Sequence, residues 1–311
     1  MLDKFWESLG EGLGDQWIKA LIHPGLLFWG VGLLAWVGRQ ADGWQALLDV
    51  WHGLGSLEAQ VAALVGLLLV LSASSVGMRW AQWLLLRLME GYWPGKVRTW
   101  AARRLQKKHR QIDERWQALQ QQFEGRQWEH LSAETRAEYL RLDRELMYHY
   151  PTNTADVLPT ALGNRLRVAE QYPQTHYGLD AIIVWPRLWP LLPDPVQEAI
   201  TSSRQALDEN VRLFGWGLLT ALWGIWTLWA VPLGLGLAVA SWFRALHTAE
   251  VYGALIRTAF DLHRFALYEA LRWPPPTDSA SEIAYGAKLT QYLFRGTVDE
   301  PVTFAQKEKK T

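Results

Sequence analysis

The chain has 311 residues, with 31 basic and 31 acidic side chains, 50% hydrophobic residues and no cysteine. The lack of cysteine excludes disulfides, thiolate nucleophiles and zinc–thiolate sites. A mean hydropathy of −0.08 hides a strong partition, because a polar middle region offsets very apolar ends. The 20 tryptophans are typical of membrane–water interfaces, and many of them flank the apolar runs.

Residues 1–90 are predicted to form a transmembrane helical hairpin. The first 19 residues carry four acidic side chains and two lysines, unlike a cleavable signal peptide. Two apolar runs of 18 residues follow, at 21–38 and 61–78. This length is at the short end of the ~20 residues that cross a bilayer core. A core helix of a soluble protein is the alternative, and the absence of a polar stripe disfavours it.

Basic residues predict the orientation of this hairpin. The connection 39–58 has a single basic residue, Arg39, whereas arginine and lysine crowd the region after residue 78. Basic residues concentrate on the cytoplasmic side of a membrane. The connection is therefore predicted to face outward, and residues 91–212 to form a cytoplasmic helical domain.

Apolar periodicity predicts two helices between residues 96 and 148, forming a hairpin that projects from the membrane. Ser132 is the predicted N-cap of the second helix, and Pro151 ends it. The helices predicted beyond it lie at 161–171, at 180–185 and from Asp194-Pro195 onward without a break into the next apolar stretch.

The first of these helices carries a basic face that is a candidate lipid-binding surface. Anionic headgroups attract basic residues by ~1 kcal/mol each. A solvated flank, basic because it lies inside the cell, explains the same pattern and removes the need for a nucleic-acid partner. The candidate residues are Arg98, Arg103, Arg104, Lys107 and Lys108.

Residues 213–243 form one apolar stretch of 31 residues that contains Pro232. It is too long for one upright span and slightly short for two. The tail from residue 244 ends in a basic run, which favours the cytoplasm and requires an even number of crossings. A second hairpin, 213–253, is therefore predicted to turn at Pro232. The predicted fold is an all-α membrane protein with two transmembrane hairpins, about four membrane helices, and both termini in the cytoplasm.

This turn would place Arg244 about 16 Å along the second arm, near the middle of the bilayer core. An arginine at that depth normally faces a water-filled cavity or a bundle interior. Ser241, Arg244 and His247 are therefore candidate pore-lining residues. A shallow hairpin, with Arg244 reaching up to the headgroups, is the alternative.

Residues 254–296 are predicted to form cytoplasmic helices, and 297–311 a disordered tail. Arg257, Asp261 and Arg264 have the spacing of helical ion pairs, which indicates a structural role. The sequence has no glycine-rich phosphate loop and no recognised catalytic motif, and its eight histidines are scattered, so neither a metal nor a cofactor is predicted.

Several short motifs between residues 130 and 295 resemble those of an uncharacterised family of bacterial integral membrane proteins. The resemblance implies a bacterial source, the cytoplasmic membrane as location, and two apolar hairpins around a cytoplasmic domain. It implies no activity, substrate or cofactor. The motifs are Leu158-Pro159-Thr160-x-Leu162-Gly163-Asn164, Tyr177-Gly178-x-Asp180-Ala181, Trp185-Pro186-Arg187-Leu188, Tyr252-Gly253 and Phe260-Asp261-Leu262-x-Arg264-Phe265.

Three functions agree with these patterns. The first is a homo-oligomeric assembly, an ion channel or pore-like effector coupled to the cytoplasmic domain, because small residues from Gly234 to Ser241 permit close helix approach. The second is a membrane-anchored scaffold that presents residues 88–212 to a cytosolic protein. The third is an enzyme acting on lipid at the inner surface, which would need His176 and Asp180 in one cavity, and a non-enzymatic role is favoured over it.

Overall fold

The computed structural model describes residues 24–123, 132–298 and 302–304, and these ranges contain ten α-helices and no strand. The all-α prediction is confirmed for this part of the chain. The helices are α1 (Pro24–Val37), α2 (Trp44–Gly53), α3 (Leu57–Glu90), α4 (Gly95–Phe123), α5 (Ala133–His149), α6 (Ala161–Tyr177), α7 (Ala181–Leu188), α8 (Asp194–Leu222), α9 (Ala230–Ala270) and α10 (Ser279–Arg295).

The chain divides into two compact units. Met1–Leu86 and Asp208–Arg244 form one, which we call the apolar unit. Arg87–Leu207 and Ala245–Thr311 form the other, the polar unit. The predicted domain boundaries at 212/213 and 253/254 instead fall inside the continuous helices α8 and α9.

Two described helices are long and apolar enough to cross a membrane. The best 18-residue window of α3 has a mean hydropathy of 2.2, and only 6% of it is buried. A core helix of a soluble protein would bury such a window, so its exposure is typical of a helix in contact with hydrocarbon. α9 also meets the criterion, with a mean hydropathy of 1.2. α1 is apolar but has only 14 residues, so four full spans are not established.

An aromatic cluster holds α1 inside the apolar unit. The ring of Phe28 lies 5.2 Å from that of Trp223, and the Trp223 Nε1 donates to the Phe28 carbonyl at 3.1 Å. Gly32 leaves room for this indole, since a Cβ there would lie 2.6 Å from it. On the α3 side, the Trp29 Nε1 donates to Ser74 Oγ at 3.3 Å. The indole N–H groups of Trp29 and Trp223 thus both have partners within the unit.

Helix α2 lies in the predicted outward connection, where the sequence pattern predicts no helix. It exposes Trp44, Leu48 and Val50. Gly43 and Gly55, both with positive φ, bound it. A ten-residue helix has too few turns to reveal an apolar stripe by periodicity alone.

The second hairpin turns earlier than predicted. α8 ends at Leu222, a 3₁₀ turn covers Trp223–Ile225, and α9 begins at Ala230. Pro232 lies in the first turn of α9, where a helix leaves backbone N–H groups unbonded anyway. The predicted turn at Pro232 is therefore wrong, because this proline begins the second arm. The unbroken helix from Asp194 into the apolar stretch is confirmed.

In the polar unit, α4 and α5 form the predicted helical hairpin. Ile112 and Leu119 of α4 are buried together with Leu142 of α5. Ser132 caps α5 as predicted, with its side chain accepting from the Thr135 N–H at 3.2 Å. The turn between the two helices lies outside the described residues.

α7, α8, α9 and α10 supply the main core of the polar unit. Phe260, Leu267 and Trp273 are almost completely buried there. Val298 and Val302 pack partly against this core, although both lie in the predicted disordered tail. The tail boundary at residue 297 was thus placed too early, and most of the remaining tail lies outside the described residues.

Candidate functional site

The three candidate pore residues lie on α9 but do not share one face. Ser241 is buried, whereas Arg244 and His247 are exposed. Arg244 and His247, three residues apart, lie side by side on the exposed surface of α9, whereas Ser241 is covered by neighbouring residues. Their role in a pore therefore stays a prediction.

Small residues allow α8 and α9 to pack closely. A Cβ added at Gly217 would lie 2.6 Å from the backbone nitrogen of Ala238, and one at Gly234 would lie 2.3 Å from that of Ala221. Each helix thus contributes two small residues four positions apart, the spacing of close helix pairs in membranes. Gly234 and Ala238, predicted to serve contacts between copies, serve this contact within the chain.

Arg244 lies at the end of this hairpin that is opposite the turn. The rings of Phe214 and Trp242 are 6.2 Å apart, so the antiparallel pairing places Arg244 level with Arg212. The Arg212 Nη1 donates to Gln82 Oε1 of α3 at 2.7 Å. Because α9 begins at Ala230, Arg244 is about 21 Å along it rather than 16 Å. Arg244 is therefore level with Arg212, the last charged residue of α8.

The five candidate lipid-binding residues of α4, namely Arg98, Arg103, Arg104, Lys107 and Lys108, are all exposed. Val97 and Trp100 are exposed among them, Trp100 with 76% of its surface. Exposed aromatic and basic side chains in one segment are typical of a membrane-surface helix. Lys108 also pairs with Glu145 of α5 at 2.8 Å, a contact that raises the pKa of Lys108.

Asp261 belongs to the trio predicted to pair along α9, and it also reaches another helix. The Tyr177 hydroxyl of α6 donates to Asp261 Oδ1 at 2.6 Å. Burial, and then the hydrogen bond to this carboxylate, raise the pKa of Tyr177. The bond fixes the end of α6 against α9.

The other two members of the trio likewise contact other helices. The Arg264 Nε donates to Glu282 Oε1 of α10 at 2.7 Å, and its guanidinium lies 4.2 Å from the ring centre of Tyr177. The Arg257 guanidinium lies 4.5 Å from the ring centre of Tyr148 on α5. The trio therefore joins α9 to α5, α6 and α10, which agrees with a structural role.

The motif from Leu158 to Asn164 shapes the entry into α6. The Asn164 side chain accepts from the Leu158 N–H at 2.6 Å and donates to the Leu158 carbonyl at 3.0 Å. The Thr160 hydroxyl caps the helix by accepting from the Gly163 N–H. A Cβ at Gly163 would lie 2.0 Å from the Glu90 carbonyl oxygen. The motif thus brings α6 against the end of α3 with the loop's backbone satisfied.

The motif from Tyr177 to Asp180 shapes the exit from α6. Gly178 has a φ of +70°, which ends the helix in the left-handed conformation that glycine adopts readily. A Cβ at Gly286 of α10 would lie 1.8 Å from the Tyr177 carbonyl oxygen, so this crossing also depends on glycine. Asp180 caps α7 by accepting from the Ile182 N–H at 2.9 Å. The carboxylate that the lipid-enzyme hypothesis would use is therefore engaged in capping a helix.

A second charged contact, centred on Glu250, escaped prediction. The His149 Nε2 lies 2.9 Å from Glu250 Oε1, and the Arg165 Nε lies 3.2 Å from the same oxygen. The three residues come from α5, α6 and α9. No local spacing in the sequence brings them together, since 101 residues separate His149 from Glu250.

Two open grooves lie on the surface of the described polar unit. One, of about 480 Å³, has apolar walls and basic side chains, and it is lined by Ala137, Leu140, Arg141, Arg144, Glu145 and His149. The other, of about 440 Å³, lies near the start of α8 and includes Asp194 and Glu198. Among the described residues, no group of three or more His, Asp or Glu is placed to hold a metal ion.

Comparison with known proteins gives no relative on which to base a function. The chain matches no protein-family model, no curated protein and no solved structure. The resemblance to a bacterial membrane family therefore stays a prediction that rests on the motifs. In the structure, Thr160, Gly163, Asn164, Gly178 and Asp180 of those motifs make caps and close helix contacts.

Proposed function

We propose that the protein is a membrane-anchored scaffold. The apolar unit is embedded in a bilayer, and the polar unit lies at the cytoplasmic surface, where it presents its α4–α5 hairpin to a cytosolic protein. The position of Arg244 carries this proposal. Level with Arg212, at the end of the hairpin, it marks the edge of the apolar unit and can reach headgroups by extending its side chain.

The basic face of α4 supports the same placement. Its exposed Arg103, Arg104 and Lys107 suit anionic headgroups, and Trp100 suits the interface. The partner surface that we propose is the groove of α5, where Leu140 provides apolar area and Arg141 and Arg144 provide charge. This composition fits an acidic amphipathic segment of a partner.

Site-specific photo-crosslinking in intact cells tests the scaffold. A photoreactive residue at Leu140 should give a discrete adduct with another protein, which weakens when Arg141 and Arg144 are changed to glutamate. The matched control places the probe at Leu48 of α2, which is comparably exposed, at 52% against 49%. Adducts with only this chain, or equal adducts from both positions, would contradict a partner at the groove.

A conducting oligomer is the second proposal, and one observation favours it. Gly236 and Ala240 are exposed on α9 together with Arg244 and His247, so a polar, closely packing face is available to other copies. Ion flux through vesicles that contain the pure protein tests it. Flux that Arg244→Gln abolishes would support the channel, and vesicles as tight as protein-free ones would reject it.

A further inference from the structure

The tip of the second hairpin is an apolar surface exposed at a turn. Ile225 is 81% exposed and Leu228 is 83% exposed. Between Arg212 and Arg244 the chain has no charged residue. The loop after α1 differs, since it carries Arg39 and Asp42, and the first turn of α3 carries Glu58. A turn that emerged into water would be expected to resemble these polar connections.

Contacts within the apolar unit show how far the tip reaches along α3. Arg212 is bonded to Gln82, and α8 continues from there for ten residues, about 15 Å, to Leu222. The 3₁₀ turn Trp223–Ile225 adds about 6 Å. The tip is therefore level with the middle of the apolar run of α3. That run continues to Val61, on the order of 10 Å beyond the tip.

The contacts of α1 give the same level independently. Phe28 is bonded to Trp223 at the start of the turn. α1 continues for nine more residues, about 13 Å, to Val37. Both N-terminal helices thus extend past the second hairpin at its turn.

Four backbone N–H groups around the turn are bonded within the turn itself. The N–H groups of Trp226 and Thr227 donate to the Trp223 carbonyl at 2.9 and 3.0 Å. The N–H groups of Ala230 and Val231 donate to the carbonyls of Thr227 and Leu228, each at 3.2 Å. Non-helical backbone at membrane depth is tolerated where protein covers it, and here the Trp223–Phe28 contact covers the turn on the side of α1.

We propose that the second hairpin is re-entrant: it enters from the cytoplasmic surface, turns inside the hydrocarbon and packs its tip against lipid acyl chains. The proposal rests on the membrane anchoring proposed above. Basic-residue counting does not distinguish a re-entrant hairpin from a crossing one, because both return the tail to the same side. Only the location of the tip separates them.

Single-cysteine labelling tests the tip directly, because the chain has no cysteine of its own. Leu228→Cys and Ile225→Cys are compared with Asp49→Cys in α2 and Gln111→Cys in α4, using a membrane-impermeant maleimide on sealed vesicles of each orientation. Both tip variants should react from neither side, at less than about a tenth of the level of the controls, and should react fully in detergent. A bimane probe at either tip position should be quenched more by lipid spin-labelled deep in the acyl chain than near the headgroup.

Each other outcome has a distinct meaning. Labelling of the tip from the side that labels Asp49→Cys would overturn the re-entrant hairpin and leave the anchor intact. Labelling of Asp49→Cys and Gln111→Cys from the same side would instead contradict the proposed anchoring. Two tip positions are used so that misfolding caused by one substitution does not decide the result.

Discussion

The Arg264–Glu282 ion pair is largely shielded from solvent, and its contribution to stability depends on that shielding. Only 16% and 11% of the two side chains are exposed. Removal of one charge from an enclosed pair leaves the other without compensation in a poorly solvated place. Glu282→Gln should therefore lower the free energy of unfolding by about 3 kcal/mol, measured by denaturant titration in detergent. Glu145→Gln, which breaks the exposed pair with Lys108, is the control and should cost less than about 1 kcal/mol.

Glu90 gives a prediction for pH dependence. Burial raises the pKa of its carboxyl, and the positive charges of Arg204 and Arg87 offset this only in part. A raised pKa means that the folded chain holds the proton more tightly than the unfolded chain. The contribution of Glu90 to stability is thus fully present below its unfolded pKa of about 4.3 and is lost as the pH rises through its folded pKa.

Glu90→Gln should therefore raise the thermal midpoint at about pH 8, by a few degrees, and have little effect at about pH 4. Circular dichroism in detergent at both pH values measures this difference. A variant that is destabilised equally at both values would contradict burial as the cause.

Residue-scale prediction from sequence succeeded where a contact is local. The Ser132 cap and the Asp180 start of α7 follow from a polar side chain immediately before a helix, and both are observed. The His149–Glu250 contact joins residues 101 positions apart, and the Arg264–Glu282 contact joins α9 to α10, so both depend on how the helices pack. A burial difference such as that between Ser241 and Arg244 likewise depends on which neighbour covers each face.

At the scale of elements, the crossing of α6 and α10 depends on glycine. A Cβ at Gly286 would lie 1.8 Å from the Tyr177 carbonyl oxygen, a contact that only a backbone shift relieves. Gly286→Ala should destabilise the protein by about 2 kcal/mol, the usual cost of overpacking. Gly77→Ala in α3 is the matched control, because a Cβ there would meet nothing within 4 Å. Equal effects on the urea midpoint would contradict the close crossing.

The second hairpin explains why element boundaries were harder to predict than elements. Its two arms were predicted from length and charge, and α8 and α9 are both present. The turn was assigned to Pro232, but proline is equally compatible with the first turn of a helix. In the structure, the Trp223 indole at the start of the turn donates to the Phe28 carbonyl, 195 residues away. Sequence periodicity carries no signal for such a contact.

At the scale of the whole molecule, the proposed scaffold gives each unit its own role: the apolar unit anchors the chain, and the polar unit carries the partner surface. In the apolar unit, α3 has its apolar window exposed, and the α8–α9 hairpin is closed by small residues. The polar unit uses its ion pairs and its caps to hold its helices together. Composition predicted this division, whereas the level of the hairpin tip needed contacts among α1, α3 and α8.

Lipid binding by α4 is a prediction at the same scale. The triple change Arg103→Gln, Arg104→Gln and Lys107→Gln should weaken binding of the protein in nanodiscs to a soluble anionic lipid probe, by roughly tenfold for three charges in partial contact. The control changes Arg136, Arg141 and Arg144 of α5, which removes the same charge. A similar loss from both triples would indicate a general charge effect, and no loss from the first would contradict the lipid surface.

The central claim is that the apolar unit is anchored in a membrane with α2 outside and α4 inside. Labelling of Asp49→Cys and Gln111→Cys with an impermeant maleimide, in intact cells and in inverted vesicles, tests it most directly. We expect Asp49→Cys to react only in the cells and Gln111→Cys only in the inverted vesicles. Reaction of both variants from one side, or recovery of the unlabelled protein in the soluble fraction, would contradict it.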